Sequence, residues 1–355
     1  NYNPNHAKAH SNLGLVLKHL SQFTESEKHF LIAIKLDPGF IDAHYNFALL
    51  LMLLGRLKEG WAQYQWFYHP QNTNPSKPNQ PNLKAKQWQG EMLQDKTILI
   101  HSEQGFGDMI QFVRYAQHLK SHGATVWVLV TKPLVELFNT IEWVDCVLEN
   151  GEQHKTTYDF WVFPLALPYW FQTTLETLPC NVPYLSVNFE KRAWWQNWFT
   201  QYGVDGNKKI GLVWAGNPVH SNDVNRSIDL SQFACLSVFE NITWVSLQLG
   251  EKARSQCLNS SLNMLDASAY IEDFTDTAAL LENLDLLISV DSSPAHLAGA
   301  LNLPLSEIRQ LAKSLDPAKT YVLYCQTGRR SAAAAFILIQ RGFNVVVLAG
   351  GTRGC

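Results

Sequence analysis

The sequence holds 355 residues, room for two or three compact domains that each bury a core without disulfide staples, so a single small domain is excluded. Its 28 basic and 31 acidic residues leave a formal net charge of −3, which rules out the electrostatic field of a nucleic-acid binder or a polybasic membrane anchor. The six cysteines (Cys146, Cys180, Cys235, Cys257, Cys325 and Cys355) form no C-x-x-C pair and no metal-ligand spacing, and no uncharged apolar run reaches the roughly 18 residues of a membrane span. Free thiols in a reducing, cytoplasmic compartment are therefore expected, with no metal, no cofactor and no transmembrane segment.

The amino-terminal third is periodic. Pro4 and Pro38 stand 34 residues apart, and the same offset links Ala9 with Ala43, His10 with His44 and Asn12 with Asn46. This spacing resembles the tetratricopeptide repeat. Leu13, Gly14, Leu17, Phe30 and Ala33 fall in one unit, with Ser26 where that family has alanine, and Ala48, Leu51 and Tyr64 fall in the next. The resemblance implies helical hairpins over residues 1–69, and Asn3-Pro4 reads as the end of a repeat that began earlier, so the chain is expected to be a fragment. Two roles stay open for these helices: a groove for a protein partner or acceptor, or a docking extension of the next domain. Residues 70–93, with four prolines in PQNTNPSKPNQPN, read as a linker or an ordered surface loop.

From Lys96 the pattern changes to short β-branched runs alternating with helical segments, the mark of parallel α/β units. Strands are expected at 97–101, 125–131, 143–148 and 160–164, with a helix over 109–122, and together they make a first lobe over 94–206. A Trp-rich helix near 191–202 leads to a second lobe over 207–303, which opens on a strand at 209–214.

Three turns in these lobes carry chemistry. In the first, Gly105 and Gly107 let a ligand approach the backbone, and Asp108 either takes a proton from a hydroxyl or forms a D-x-x-Q capping box with Gln111. The second turn runs from Trp214 through Gly216 and Asn217, with His220 and Arg226 beyond it. Its cations suit a departing diphosphate in the absence of a metal motif; otherwise it is a solvated polar loop. In the third, Asp291, Ser292, Ser293 and His296 follow a strand at 286–290, with Ser293 as helix cap and Pro294 at the first helical position. Diphosphates sit at such helix starts in open α/β sheets.

Taken in order and spacing, GFGDMIQFVRYAQHLKSHGATVWVLV, GLVWAGNPVHSNDVNRSI and SVDSSPAHLAGAL resemble the glycosyltransferase family that includes the heptosyltransferases of lipopolysaccharide. The resemblance, with the repeats, covers about residues 7–303. It implies a GT-B fold of two Rossmann-like lobes and a nucleotide-diphosphate sugar as substrate. It also implies a metal-independent, inverting transfer with Asp108 as base and with Trp214 to Asn217, Arg226, Ser292, Ser293 and His296 on the donor side. That family also uses a lysine in the second lobe; here Asn217 or His220 stands in its neighbourhood. A non-catalytic nucleotide-sugar binder is the alternative.

Beyond residue 303 the wording changes. AHLAGALNLP resembles the segment that precedes the active loop of a rhodanese, and the tail 304–355 resembles the carboxyl half of that domain. Strands are expected at 321–324 and 344–348, flanking the loop Cys325, Gln326, Thr327, Gly328, Arg329, Arg330 and Ser331 and a helix over 332–341. A thiol at a helix amino terminus beside two arginines is favoured as thiolate, and the loop amides form an anion nest. The resemblance implies sulfur transfer through a persulfide on Cys325. The two tail strands are expected to extend the truncated sheet of the second lobe.

Overall fold

The computed structural model describes residues 5–103, 105–179, 183–204, 206–218, 223–301, 320–323 and 344–347. The first four helices are α1 (Ala7–His19), α2 (Phe23–Leu36), α3 (Ile41–Leu53) and α4 (Leu57–Tyr64), the last continued by a 3-10 turn over Gln65–Tyr68. Since α3 starts 34 residues after α1, and α4 34 after α2, the period in the sequence is a period of helices. Each pair closes on small residues. Ser26 Oγ donates to the Gly14 carbonyl at 2.6 Å, and a Cβ on Gly14 would lie 2.9 Å from the Phe30 ring. The positions 34 residues further on are Ala48 and Gly60, where a Cβ on Gly60 would lie 3.3 Å from the Ala48 carbonyl oxygen.

The second pair stacks on the first through Phe47, whose ring centroid lies 6.1 Å from that of Phe30, with Leu50 and Leu51 in the same buried cluster. Arg56 adds an ion pair to Glu27 at 2.7 Å. The other side of the array is docked. Trp61 meets Phe112 edge-on at 5.7 Å, Tyr68 stacks on Phe163 at 5.3 Å, and the Tyr68 hydroxyl donates to the Glu103 carboxylate at 2.9 Å. That carboxylate also accepts the Leu165 amide at 3.0 Å. The helices are thus a docked extension of the α/β fold. The proline-rich loop after them is ordered, with Asn72 Nδ2 donating to the Phe67 carbonyl and Lys77 Nζ to that of His69, both at 2.7 Å.

The first sheet contains β1 (Lys86–Gln87), β2 (Thr97–His101), β3 (Thr125–Val130), β4 (Cys146–Glu149) and β5 (Phe160–Val162), in the order β1-β5-β2-β3-β4. β2 pairs in parallel with both neighbours, Ile98 facing Val126 on one side and Phe160 on the other. Its centre, Ile98 to Ile100, is fully buried, as a strand covered on both faces requires. The helices of this part are α5 (Phe106–Phe112), α6 (Ala116–Ser121), α7 (Lys132–Phe138) and α8 (Leu167–Trp170). The single helix expected at 109–122 is corrected: it starts three residues earlier and tightens into a 3-10 turn at Val113–Tyr115. There Arg114 donates to the Pro179 carbonyl and the Tyr115 hydroxyl meets Thr173 Oγ1, both at 2.9 Å, contacts that fix the local backbone.

The second sheet follows α9 (Phe189–Gln201). Its strands are β6 (Lys208–Val213), β7 (Ile242–Ser246), β8 (Met264–Asp266) and β9 (Leu286–Ser289), ordered β8-β7-β6-β9 and all parallel. Between them come α10 (Asp223–Arg226), α11 (Glu251–Leu258) and α12 (Phe274–Glu282), and α13 (Ser293–Ala300) follows β9. α9 is held to the start of α12 by Lys191, whose ammonium lies 2.8 Å from Asp276 and 3.3 Å from Asp273. Burial works against that charge, but the two carboxylates outweigh it and hold the lysine pKa above its usual value.

With the two-residue β1 set aside, both sheets have the order third-second-first-fourth strand, with which the doubly wound dinucleotide-binding sheet begins. The chain divides into two compact units, one of Asn1–Gln104, Phe112–Leu129 and Gly151–Cys180, the other of Gly105–Gln111, Val130–Asn150 and Asn181–Cys355. The remaining strands, β10 (Thr320–Leu323) and β11 (Asn344–Val347), pair with each other in parallel. Among the described residues they form their own two-stranded sheet and do not join β6 to β9, which corrects the expectation that they extend the second sheet. No helix among the described residues is long and apolar enough to cross a membrane.

Candidate functional site

The second unit gathers all three turns singled out in the sequence. β6 and β9 are adjacent, Val213 facing Ser289, and the Val290 amide donates to the Val213 carbonyl at 2.9 Å. Trp214 and Asp291 therefore leave from neighbouring carboxyl ends, at the point where the strand order reverses. Open α/β sheets bind ligands at such a point. The first turn joins them through packing, because a Cβ on Gly107 would lie 2.6 Å from His296 Cδ2 and 3.3 Å from its Nε2. Any side chain at position 107 would have to displace the imidazole.

Three contacts hold α5 in that place. His296 lies against Gly107, the Phe106 ring meets that of Phe274 at 5.0 Å, and the buried Tyr184 hydroxyl donates to the Ile110 carbonyl at 2.8 Å. Tyr184 also ties to α13, its amide donating to the Ala300 carbonyl at 3.1 Å. Asp108 sits at the third helical position, where its Oδ2 accepts the Gly105 amide at 3.2 Å. The D-x-x-Q reading, with Asp108 as the cap, is thus corrected: the helix starts at Phe106, and Asp108 is the acidic residue that reaches back to the cap. Its negative charge is favoured at the positive end of the helix.

At the second turn the Trp214 indole is 1% exposed and its Nε1 donates to Gln256 Oε1 at 2.9 Å, so the side chain supports the core rather than facing a ligand. Gln248 holds the backbone, its Oε1 accepting the amides of Trp214 at 3.1 Å and Ala215 at 2.9 Å. Arg226 packs over Gly216, where a Cβ would lie 2.6 Å from the guanidinium Cζ. Its Nε pairs with Asp223 Oδ1 at 3.1 Å, and its side chain is 17% exposed. Ser227 Oγ donates to the same carboxylate oxygen at 3.0 Å and accepts the Gly216 amide at 3.0 Å. A half-buried guanidinium is thereby fixed beside a glycine turn. Asn217 is exposed, and His220 lies outside the described residues.

The third turn corrects another expectation. The cap of α13 is Ser292, with Ser293 as the first helical residue and Pro294 the second. Ser292 makes no capping bond because its hydroxyl lies 2.7 Å from Ser289 Oγ, which in turn donates to the Val290 carbonyl. The amides of Ala295 and His296 reach the Ser292 carbonyl at 3.1 and 3.4 Å, and Pro294 has none, so this helix start offers an anion less than its sequence suggests. What it does offer is His296, whose Nε2 lies 3.8 Å from Asp291 Oδ1.

Sequence reasoning missed Gln248, Ser227, Ser289 and Tyr184. Ser227 and Ser289 lie within the quoted segments and act on near neighbours, Asp223 and Gly216 for the one and Ser292 for the other, whereas Gln248 and Tyr184 act on partners that only the fold brings near. Cys257, by contrast, is buried, and burial, together with Asp266, pushes its thiol up, which disfavours the thiolate. Among the described residues no cluster of three or more His, Cys, Asp or Glu is placed to hold a metal. Cys325, Gln326, Thr327, Gly328, Arg329, Arg330 and Ser331 lie outside the described residues.

Residues 269–354 match the Rhodanese-like domain family. A 72-residue stretch is 33% identical to thiosulfate sulfurtransferase PspE of Escherichia coli K12, covering 20% of this chain and 69% of that protein. Over this stretch the chain belongs to the rhodanese-like family. The rhodanese-like match starts within the second sheet's region and takes in α12, β9 and α13, and with them Asp291 and His296. A longer alignment, over 285 residues and 73% of this chain, is 23% identical to Protein FlbA of Caulobacter vibrioides, of whose length the chain spans 46%. Among solved structures, a glycosyl transferase family 9 protein from Veillonella parvula DSM 2008 is 14% identical, with 60% of this chain and 81% of that chain covered at a TM-score of 0.48.

Proposed function

We propose that the chain is a glycosyltransferase-like protein of the GT-B kind that holds a nucleotide-diphosphate sugar where β6 and β9 end, with tetratricopeptide-type hairpins docked on its first sheet. One observation carries this reading: the three turns whose sequences resemble the heptosyltransferase family meet at one strand-order reversal, with His296 seated on Gly107. In this reading Arg226, fixed by Asp223 and stacked over Gly216, takes the diphosphate together with His296. Asp108 receives the proton of the acceptor hydroxyl as that oxygen attacks the sugar's anomeric carbon and the nucleoside diphosphate leaves. Arg226→Ala is expected to weaken binding of ADP, GDP or UDP by about tenfold or more, roughly 1.4 kcal/mol. Gly216→Ala should do nearly as much, by displacing the guanidinium. Thermal shift and calorimetry with the three diphosphates test this. If none raises the melting temperature of the wild-type chain at millimolar concentration, the reading fails.

A second reading rests on the rhodanese-like match. The relative named thiosulfate sulfurtransferase suggests that Cys325 accepts sulfane sulfur: its thiolate attacks the outer sulfur of thiosulfate, the S–S bond breaks, and sulfite leaves with the bonding pair. Cyanide then takes the sulfur from the persulfide as thiocyanate. Thiocyanate formation by the wild-type chain and its loss in Cys325→Ser is the expected pair of results; equal rates in both would remove this role.

A further inference from the structure

The first helical pair carries a bare apolar face. Ala9, Leu13 and Val16 share one side of α1 and are all exposed, Leu13 to 43% and Val16 to 53%. The residues 34 positions on are Ala43, Phe47 and Leu50 of α3, which are 0%, 5% and 0% exposed. Phe47 and Leu50 belong to the buried cluster that contains Phe30 of α2. Thus α1 turns toward solvent the same face with which α3 stacks on the preceding pair.

We infer that this face of α1 is a stacking surface whose occupant is a further helical hairpin in the same 34-residue register, presenting a large apolar residue from its second helix at the place Phe30 holds. The register identifies the occupant, because the face of α3 is covered by α2, and the equivalent face of α1 fits a helix of the α2 kind. Among the described residues, a second copy of this chain offers no α2-type face that is free. Its Phe30 is 0% exposed beneath Phe47, and the far end of the array is covered by Phe112 and Phe163. Among the described residues, the α4 side of the array is covered and this face of α1 is exposed. In stacked repeats, stability is a sum of unit and interface contributions, so an added neighbour on the open face stabilises what it covers.

The test compares the full chain with an extended chain in which residues 1–4 are replaced by a second copy of residues 5–38, which joins Asn5 in the 34-residue register and carries its own Phe30. The expected result is a melting temperature raised by several degrees and amide exchange in α1 slowed about tenfold. Leu13→Glu with Val16→Glu should cancel both gains in the extended chain and leave the melting temperature of the unextended chain where it was. An extension that neither raises the melting temperature nor protects α1 overturns the inference. So does a concentration-dependent dimer of the unextended chain that the double substitution makes monomeric, for then the face is covered by its own copy.

Discussion

Asp108→Asn is expected to lower sugar transfer by about 10²–10⁴-fold while leaving nucleoside diphosphate binding and the melting temperature unchanged. Asparagine keeps an oxygen to accept the Gly105 amide, which the carboxylate now does at 3.2 Å, but it has no basicity to take a proton. Asp108→Ala removes both functions and should add a loss of about 1 kcal/mol of stability from the uncovered helix start. Turnover, a binding titration and a melting curve on the two variants separate base from cap. Full turnover in Asp108→Asn would leave the residue only its structural part. A wild-type chain that binds the diphosphate tightly and turns over no sugar would instead be a binding protein.

Much of this site is legible in the sequence because strands and the turns after them are local signals. Thr97 to His101 is a β-branched and apolar run closed by Gly105, and β2 has those bounds. The strand before Asp291 is legible for the same reason. What is hidden is what the sheet brings together. Gln248 follows β7 with no motif around it, yet the parallel register of β6 and β7 sets its amide under the Trp214 turn. The cap at α13 misleads because Ser-Pro is good helix-start grammar wherever it occurs, whereas the hydroxyl of Ser292 is drawn to Ser289 by the end of β9. Likewise, Trp214 reads as a ligand residue from its place after a strand, and only the core cluster with Leu230, Phe233 and Trp244 shows its ring to be packed.

Phe47→Ala is expected to cost about 3–5 kcal/mol, while Leu13→Ala, 34 residues earlier in the same helical position, costs about 0.5 kcal/mol or less. The two residues have the same role in the repeat and differ in what lies above them. Phe47 is covered by Phe30, Ile34 and their neighbours, so its removal leaves a cavity between the hairpins. Leu13 is 43% exposed, and its removal leaves water where water already was. Denaturant titration of the two variants measures the contrast directly. If a neighbouring hairpin covers α1, the same Leu13→Ala substitution in the extended chain should rise toward about 2–5 kcal/mol, since the site then has the packing of a core position. The cost of one side chain thus reports whether its face is covered, whatever the identity of the hairpin that covers it.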